Sequence, residues 1–422
     1  MTSAAVSRQL EIPGVGTQTR AFPARLVEYG YYTVLLYSLV APGLGIQIPL
    51  GSGGLLLMLA AFCVMKLRVR ALVAYARLKL PFACTLSFLM VDFTVHGGSL
   101  GTEMSRTLIV WCATLIIVQT LSGRQEFLHR CAIFLWLIGL ATLPFLTHTG
   151  ASGGSARIAV DRSIVSGGLG NPNGFGNWFG FCCLYFSIVG IETRRTSVRV
   201  ASGLAAIVCL YFVGLTVSRG ALLGTVLGVT IGLRRILRRG FIPLLLLVLV
   251  AGVSFGLGLF DETISSYTAR GTEDTGRFEV WPLAIERFVA SPLFGVGPDY
   301  AATPVPGHKY PVAPHNTFLF VALSAGVIPL AFLVAWYVWM GRNSLTSAAK
   351  APDKPFQLPL LAYALINDLF GDLVFMMPWA VLSLAFATNA RSELGSTPQA
   401  PHRREVPIRV RRFSPVRSTP SS

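Results

Sequence analysis

Three residues in this chain have the type and placement to do chemistry, and the first is a histidine. His315 and Asn316 stand in Ala313-Pro314-His315-Asn316-Thr317-Phe318-Leu319, where a long polar stretch, 260–314, gives way to an apolar run, 318–340. A histidine with an unperturbed pKa of about 6.5 can accept a proton from a hydroxyl near neutral pH. At the mouth of a membrane helix it would meet both a lipid-borne substrate and water.

The other two are arginines. Arg219 lies in Thr216-Val217-Ser218-Arg219-Gly220-Ala221, a link with almost no length between two apolar stretches. A charge that close to lipid normally has a partner or a job. A guanidinium presents a fork of donors that matches phosphate oxygens, although snorkelling or a structural ion pair would also account for it. Arg277 opens the segment Gly276-Arg277-Phe278-Glu279-Val280-Trp281-Pro282-Leu283-Ala284-Ile285. There Trp281 and Ile285 are four apart, on one face of an amphipathic helical piece.

A further turn, Asn171-Pro172-Asn173-Gly174, immediately precedes an apolar stretch. Its asparagines are placed to cap the helix that follows, and the amides of such a helix end favour an anion such as a lipid diphosphate. Gly295-Val296-Gly297 forms a glycine-rich turn with nothing that marks a Rossmann unit. The acids between 260 and 314 are Asp261, Glu262, Glu273, Asp274, Glu279, Glu286 and Asp299. They form no D-x-D pair and no cluster with a histidine at ligand spacing, so no metal and no cofactor is expected.

The elements that must position these groups are membrane helices. Hydrophobic residues make up 53% of the chain and charged residues only 13%, with a mean hydropathy of +0.61; in soluble domains about a quarter of residues are charged. A spanning helix needs about 20 mostly apolar residues. Twelve candidate spans can be read, at about 31–49, 52–66, 80–96, 106–121, 131–147, 174–191, 200–217, 220–233, 241–259, 316–340, 356–373 and 375–390. The expected fold is therefore all-α, a polytopic integral membrane protein of about twelve helices. One large external loop, 260–314, joins helices nine and ten. A tail, 1–30, precedes the membrane domain 31–390, and a basic, Arg/Pro/Ser-rich tail, 391–422, follows it and is expected to be disordered.

The net charge of +16 fits this layout better than it fits nucleic acid, and no nucleic-acid partner is expected. With the N-terminus inside, 27 of the 35 Lys and Arg residues fall in cytoplasmic segments and 7 in external ones, with Arg106 at a boundary. That is the positive-inside bias, and it places both termini in the cytoplasm. No cleaved signal peptide is visible in 1–29. The seven cysteines all fall inside the expected spans, with no C-x-x-C pair, and read as small packing residues.

Ser218-Arg219-Gly220-Ala221, Gly276-Arg277 with Trp281, Gly295-x-Gly297, and His315-Asn316 opening a helix form an ordered set. This set resembles the O-antigen ligase/polymerase superfamily of bacterial membrane proteins, most strongly over about 165–340. Asn171-Pro172-Asn173 is similar to that family as well. The resemblance implies a GT-C-type membrane glycosyltransferase in cell-surface polysaccharide biosynthesis. Such an enzyme takes a glycan from an undecaprenyl-diphosphate carrier and passes it to the hydroxyl of a glycan or lipid-linked acceptor. It works without metal, by inversion, on the periplasmic face of the inner membrane. Its partners would be membrane lipid and other polysaccharide-assembly proteins.

The resemblance further implies that Arg219 and Arg277 hold the diphosphate and that His315 is the catalytic base. Asn171, Asn173, Ser218, Trp281 and Asn316 would be substrate-binding. A polymerase extending the lipid-linked chain fits the same residues. A secondary transporter or lipid flippase is the competing class, with Asp92, Asn367-Asp368 and Gly371-Asp372 as its buried polar groups.

Overall fold

A computed structural model describes residues 21–40, 51–66, 77–99, 102–122, 127–150, 156–161, 167–237, 277–306, 310–346 and 354–371, with single positions 265, 268 and 383. Among them are twelve α-helices, one small β-hairpin and three 3-10 turns. The helices are α1 (Ala21–Val40), α2 (Gly51–Lys66), α3 (Lys79–Val95), α4 (Glu103–Ser122), α5 (Phe127–Ala141), α6 (Pro172–Glu192), α7 (Thr196–Leu215), α8 (Arg219–Leu237), α9 (Arg277–Ala290), α10 (Thr317–Ala325), α11 (Val327–Thr346) and α12 (Lys354–Phe370). The hairpin pairs β1 (Leu146–Gly150) with β2 (Ala156–Val160), antiparallel, in a stretch expected to be loop from 148 onward.

Four described helices are long and apolar enough to cross a membrane: Glu103–Ser122, Phe127–Phe145, Pro172–Glu192 and Thr196–Leu215. Gly51–Lys66 is apolar but shorter. The expected span 241–259, all of 375–390 but position 383, the greater part of 260–276, and the tail 391–422 lie outside the described residues.

Two expected spans are corrected in detail. The first begins ten residues earlier than the apolar window, at Ala21, and carries Glu28 into the bundle. That charge is tolerated because Arg130 of α5 meets both carboxylate oxygens, Nε to Oε1 at 2.7 Å and Nη2 to Oε2 at 3.0 Å. The Tyr32 hydroxyl donates to Oε1 at 3.0 Å as well. A bidentate, hydrogen-bonded pair offsets the desolvation that a lone buried carboxylate would suffer. The second is the expected span 316–340, which is two helices, α10 and α11, broken at Gly326.

The core of the bundle is built around α6. Its aromatic residues Phe175, Trp178, Phe179 and Phe181 are fully buried. The Trp178 indole N–H, which would be unsatisfied in an apolar interior, donates to the Leu135 carbonyl of α5 at 2.9 Å. Helices α5, α7, α8 and α12 pack around α6. All seven cysteines are buried and unpaired, as small packing residues should be.

Candidate functional site

The turn between α7 and α8 is three residues long, Thr216 to Ser218. Thr216 Oγ1 donates to the Val213 carbonyl at 2.7 Å and accepts from the Ser218 amide at 3.3 Å. Ser218 is buried, and its carbonyl accepts from Leu222 N at 3.0 Å, the first turn of α8. Its hydroxyl oxygen faces the Ala221 amide at 3.5 Å, the N-cap position for which serine is suited. Arg219 follows as the first residue of α8, with an exposed side chain. Between Thr216 and Ser218 the chain strains, since Val217 has φ 51°. A β-branched residue in the left-handed region is unfavourable and persists only when its surroundings impose it.

Those surroundings include an arginine that the sequence reading counted only for topology. Arg157 of β2 donates from Nε to the Thr216 carbonyl at 3.1 Å and from Nη2 to Asn173 Oδ1 at 2.7 Å. Asn171 caps α6, its Oδ1 accepting from the Asn173 amide at 2.9 Å, and Pro172 takes the first helical position. Asn171, Asn173, Ser218 and Arg219 are therefore gathered at one end of the bundle, bound together through Arg157. The signal for Arg157 was present in the sequence as one of the few external basic residues, but nothing local tied it to Thr216.

The histidine is delivered by a second assembly. Helix α9 begins at Arg277, whose side chain lies outside the described residues. One turn later the Trp281 indole N–H donates to the Pro314 carbonyl at 2.7 Å, directly before His315. Nearly three turns on from Arg277, Arg287 Nη1 donates to the Ala302 carbonyl at 2.9 Å and approaches Thr303 Oγ1 at 3.4 Å. Thr303 in turn pairs with Val312 through two backbone hydrogen bonds. Val280 and Ala284 of α9 are buried, and Ala284 packs with Phe288 against Ala301 and Leu323. Trp281 and Ile285 are both in this helix, four apart, and Ile285 is 48% exposed.

His315 itself is half-buried and has φ 47°, the other positive-φ non-glycine residue among those described. The strain is held from both sides. Trp281 grips the residue before, and Asn316 caps α10 after, its Oδ1 accepting from Leu319 N at 3.0 Å. Thr317 Oγ1 then donates to Asp368 Oδ1 of α12 at 3.0 Å, and the Tyr337 hydroxyl of α11 donates to the other carboxylate oxygen. Asn316 and Ser218 thus serve as helix caps. Asp368, Asn367 and Asp92 are buried but have partners: Asn367 Nδ2 donates to the Tyr363 carbonyl at 2.8 Å, and Ser105 Oγ reaches Asp92 Oδ2 at 3.3 Å. Among the described residues no group of three His, Cys, Asp or Glu side chains is gathered as for a metal ion.

The break at Gly326 is where the turn after α9 docks. The Val296 amide donates to the Leu323 carbonyl at 2.6 Å and the Val327 amide to the Pro292 carbonyl at 2.9 Å. His96, at the end of α3, adds a hydrogen bond between Nε2 and the Phe294 carbonyl at 2.9 Å. Gly326 has φ +83°, and a Cβ there would run into the Leu293 backbone. Gly326→Ala should therefore destabilise by at least about 1–3 kcal/mol from backbone strain alone, read as a fall in the thermal midpoint of the detergent-solubilised protein. An unchanged midpoint would mean that this docking does not hold the break.

The two assemblies meet through α12. Gly220, next to Arg219, lies against Phe370, and the Phe370 ring stands 6.2 Å from that of Trp281. A contiguous path, Gly220–Phe370–Trp281–Pro314, thus leads from the Arg219 turn to His315. Residues 204–334 match the family model described as O-antigen ligase, consistent with the O-antigen ligase/polymerase superfamily. No curated protein matches the chain.

Proposed function

We propose that this chain, with an O-antigen ligase match across residues 204–334 and helices able to cross a membrane, is an integral inner-membrane glycosyltransferase. It moves a glycan from a lipid diphosphate, undecaprenyl diphosphate, to an acceptor hydroxyl, with its site facing the periplasm and both termini cytoplasmic. The observation that carries the reading is the shared location. The matched segment contains Arg219, Arg277 and His315, and the Arg219 turn joins the His315 turn through Phe370 and Trp281.

The chemistry fits that arrangement. A lipid diphosphate is already a good leaving group, so the donor side mainly needs stabilisation of developing negative charge, and Arg219 and Arg277 supply it. The acceptor hydroxyl must lose its proton as it attacks the anomeric carbon. His315 takes that proton, the bond to the diphosphate oxygen breaks, and in-line attack inverts the anomeric centre. In this reading Asn171 and Asn173 bind substrate beside the clamp, Trp281 holds the turn before His315, and Asn316 and Ser218 fix the helices that carry the base and the clamp. The transporter reading is weaker, because Asp368 and Asp92 are engaged by hydroxyl partners that hold helices together.

The test is transfer by the purified protein in lipid vesicles, supplied with an undecaprenyl-diphosphate glycan and either a lipid A-core or a second lipid-linked glycan as acceptor. Product on the first acceptor identifies a ligase, and lengthened lipid-linked chains identify a polymerase. Transfer is expected to persist in EDTA, because no paired carboxylates stand at ligand spacing in the external segments. Donor translocation without any transfer would overturn the enzyme reading. A rate that vanishes with chelator and returns with Mg²⁺ would overturn the metal-free mechanism.

A further inference from the structure

The end of α12 lies outside the matched segment 204–334, yet it touches both halves of the candidate site. Phe370 Cβ faces Gly220 so closely that a methyl added there would come within 3.3 Å of it. On its other side the Phe370 ring stands 6.2 Å from the Trp281 ring, tilted by 30°. Trp281 in turn holds the carbonyl of Pro314, the residue before His315. One turn earlier on α12, Asn367 lies against Gly224, so the same helix is seated on α8 at two levels. Asp368 meanwhile fixes Thr317, two residues beyond His315.

A phenyl ring has no proton to give and no charge to place. It has a fixed width, and packed matter of this density transmits displacement rather than absorbing it. We propose that Phe370 is a positioning residue whose side chain, between Gly220 and Trp281, sets the separation of Arg219 and His315. This rests on the glycosyltransferase reading, since a spacer matters only if clamp and base act on one substrate. Shrinking the side chain lets the Trp281–His315 assembly move relative to the Arg219 turn. A shift of about 1 Å in such a pair can cost about 10²-fold in rate.

The experiment is a graded series, Phe370→Tyr, Phe370→Leu and Phe370→Ala, in the full-length protein in vesicles. Donor binding, kcat for transfer and the thermal midpoint are measured on each. Transfer should fall by about 10²-fold in Phe370→Ala, less in Phe370→Leu, and recover in Phe370→Tyr, which keeps the ring. Donor affinity should stay near the wild-type value across the series, because no atom of Phe370 is asked to touch phosphate. Trp281→Phe, which keeps a ring beside Phe370 but removes the N–H held by Pro314, should likewise lose kcat and spare donor binding.

A merely structural role would lower donor binding, kcat and thermal midpoint together, and that result would overturn the proposal. So would a Phe370→Ala protein with wild-type kcat. Should Phe370→Ala fail to fold, the leucine variant and Trp281→Phe carry the same comparison. Wild-type protein that does not transfer from a lipid diphosphate sinks the glycosyltransferase reading and the spacer with it. Wild-type transfer with an indifferent series sinks the spacer alone.

Discussion

His315→Ala should abolish measurable glycan transfer while the lipid-diphosphate donor still binds. General base catalysis by a positioned histidine contributes about 10²–10⁴ in rate, and that is the loss expected. The acceptor hydroxyl is poorly nucleophilic until its proton leaves, and in this proposal His315 takes that proton. The donor, in contrast, is held by arginines, so its affinity should change little, and the defect should appear in kcat. The backbone complicates the alanine variant. His315 sits at φ 47°, a region that alanine enters less readily than histidine or asparagine. His315→Asn is therefore the cleaner substitution, since it tolerates the same conformation but supplies no imidazole. Folded His315→Asn protein that transfers glycan at the wild-type rate would remove the base role. Loss in the alanine variant with retention in the asparagine variant would trace the defect to the turn instead.

Arg219→Ala should weaken donor binding and turnover together. A hydrogen bond to a charged group contributes about 1.5–3 kcal/mol, so a ten- to hundredfold loss in donor affinity is the expected scale. Turnover should fall further, because charge on the departing diphosphate grows as the glycosidic bond breaks. The substitution is well suited to measurement. Arg219 is exposed at the first residue of α8, and the turn behind it carries hydrogen bonds from Ser218, Thr216 and Arg157. The thermal midpoint is measured alongside, so that a loss of donor affinity is separated from a loss of fold. Arg219→Lys should recover part of the activity, since an ammonium keeps the charge but not the two-pronged geometry. Arg277→Ala is expected to behave like Arg219→Ala. Arg219→Ala protein with unchanged donor affinity would place the diphosphate elsewhere.

Some of the site could be read directly from local sequence because local chemistry imposes it. Asn171 caps the helix after it, as its place ahead of an apolar run predicts, and Asn316 caps α10, with side-chain oxygens accepting from amides two and three residues on. The tight Thr216–Ser218 link followed from two apolar stretches with no room between them. The amphipathic helix at 277–290 followed from its charge and apolar pattern. Its buried face did not, because Ala284 is selected by what lies opposite, Ala301 and Leu323. The ten-residue shift in α1 has the same origin. Glu28 lies outside the apolar window 31–49, and Arg130, over a hundred positions away, helps to make its burial tolerable.

The amino-acid sequence by itself determined which residues can do chemistry here and roughly where the helices run. Side-chain type, capping preference and hydropathy are properties of short stretches. The tertiary structure decided how the parts face one another. Gly326 breaks what reads as one continuous apolar span because a backbone turn from 291–297 needs the space that a side chain would fill. Arg157 supports the Arg219 turn, Asp368 pins the start of the His315 helix, and Phe370 links the two, each across dozens of residues. Those pairings are long-range, and each local pattern is compatible with many partners. The packed bundle selects one of them, since a buried hydroxyl, amide or carboxylate without its partner would be left unsatisfied away from water.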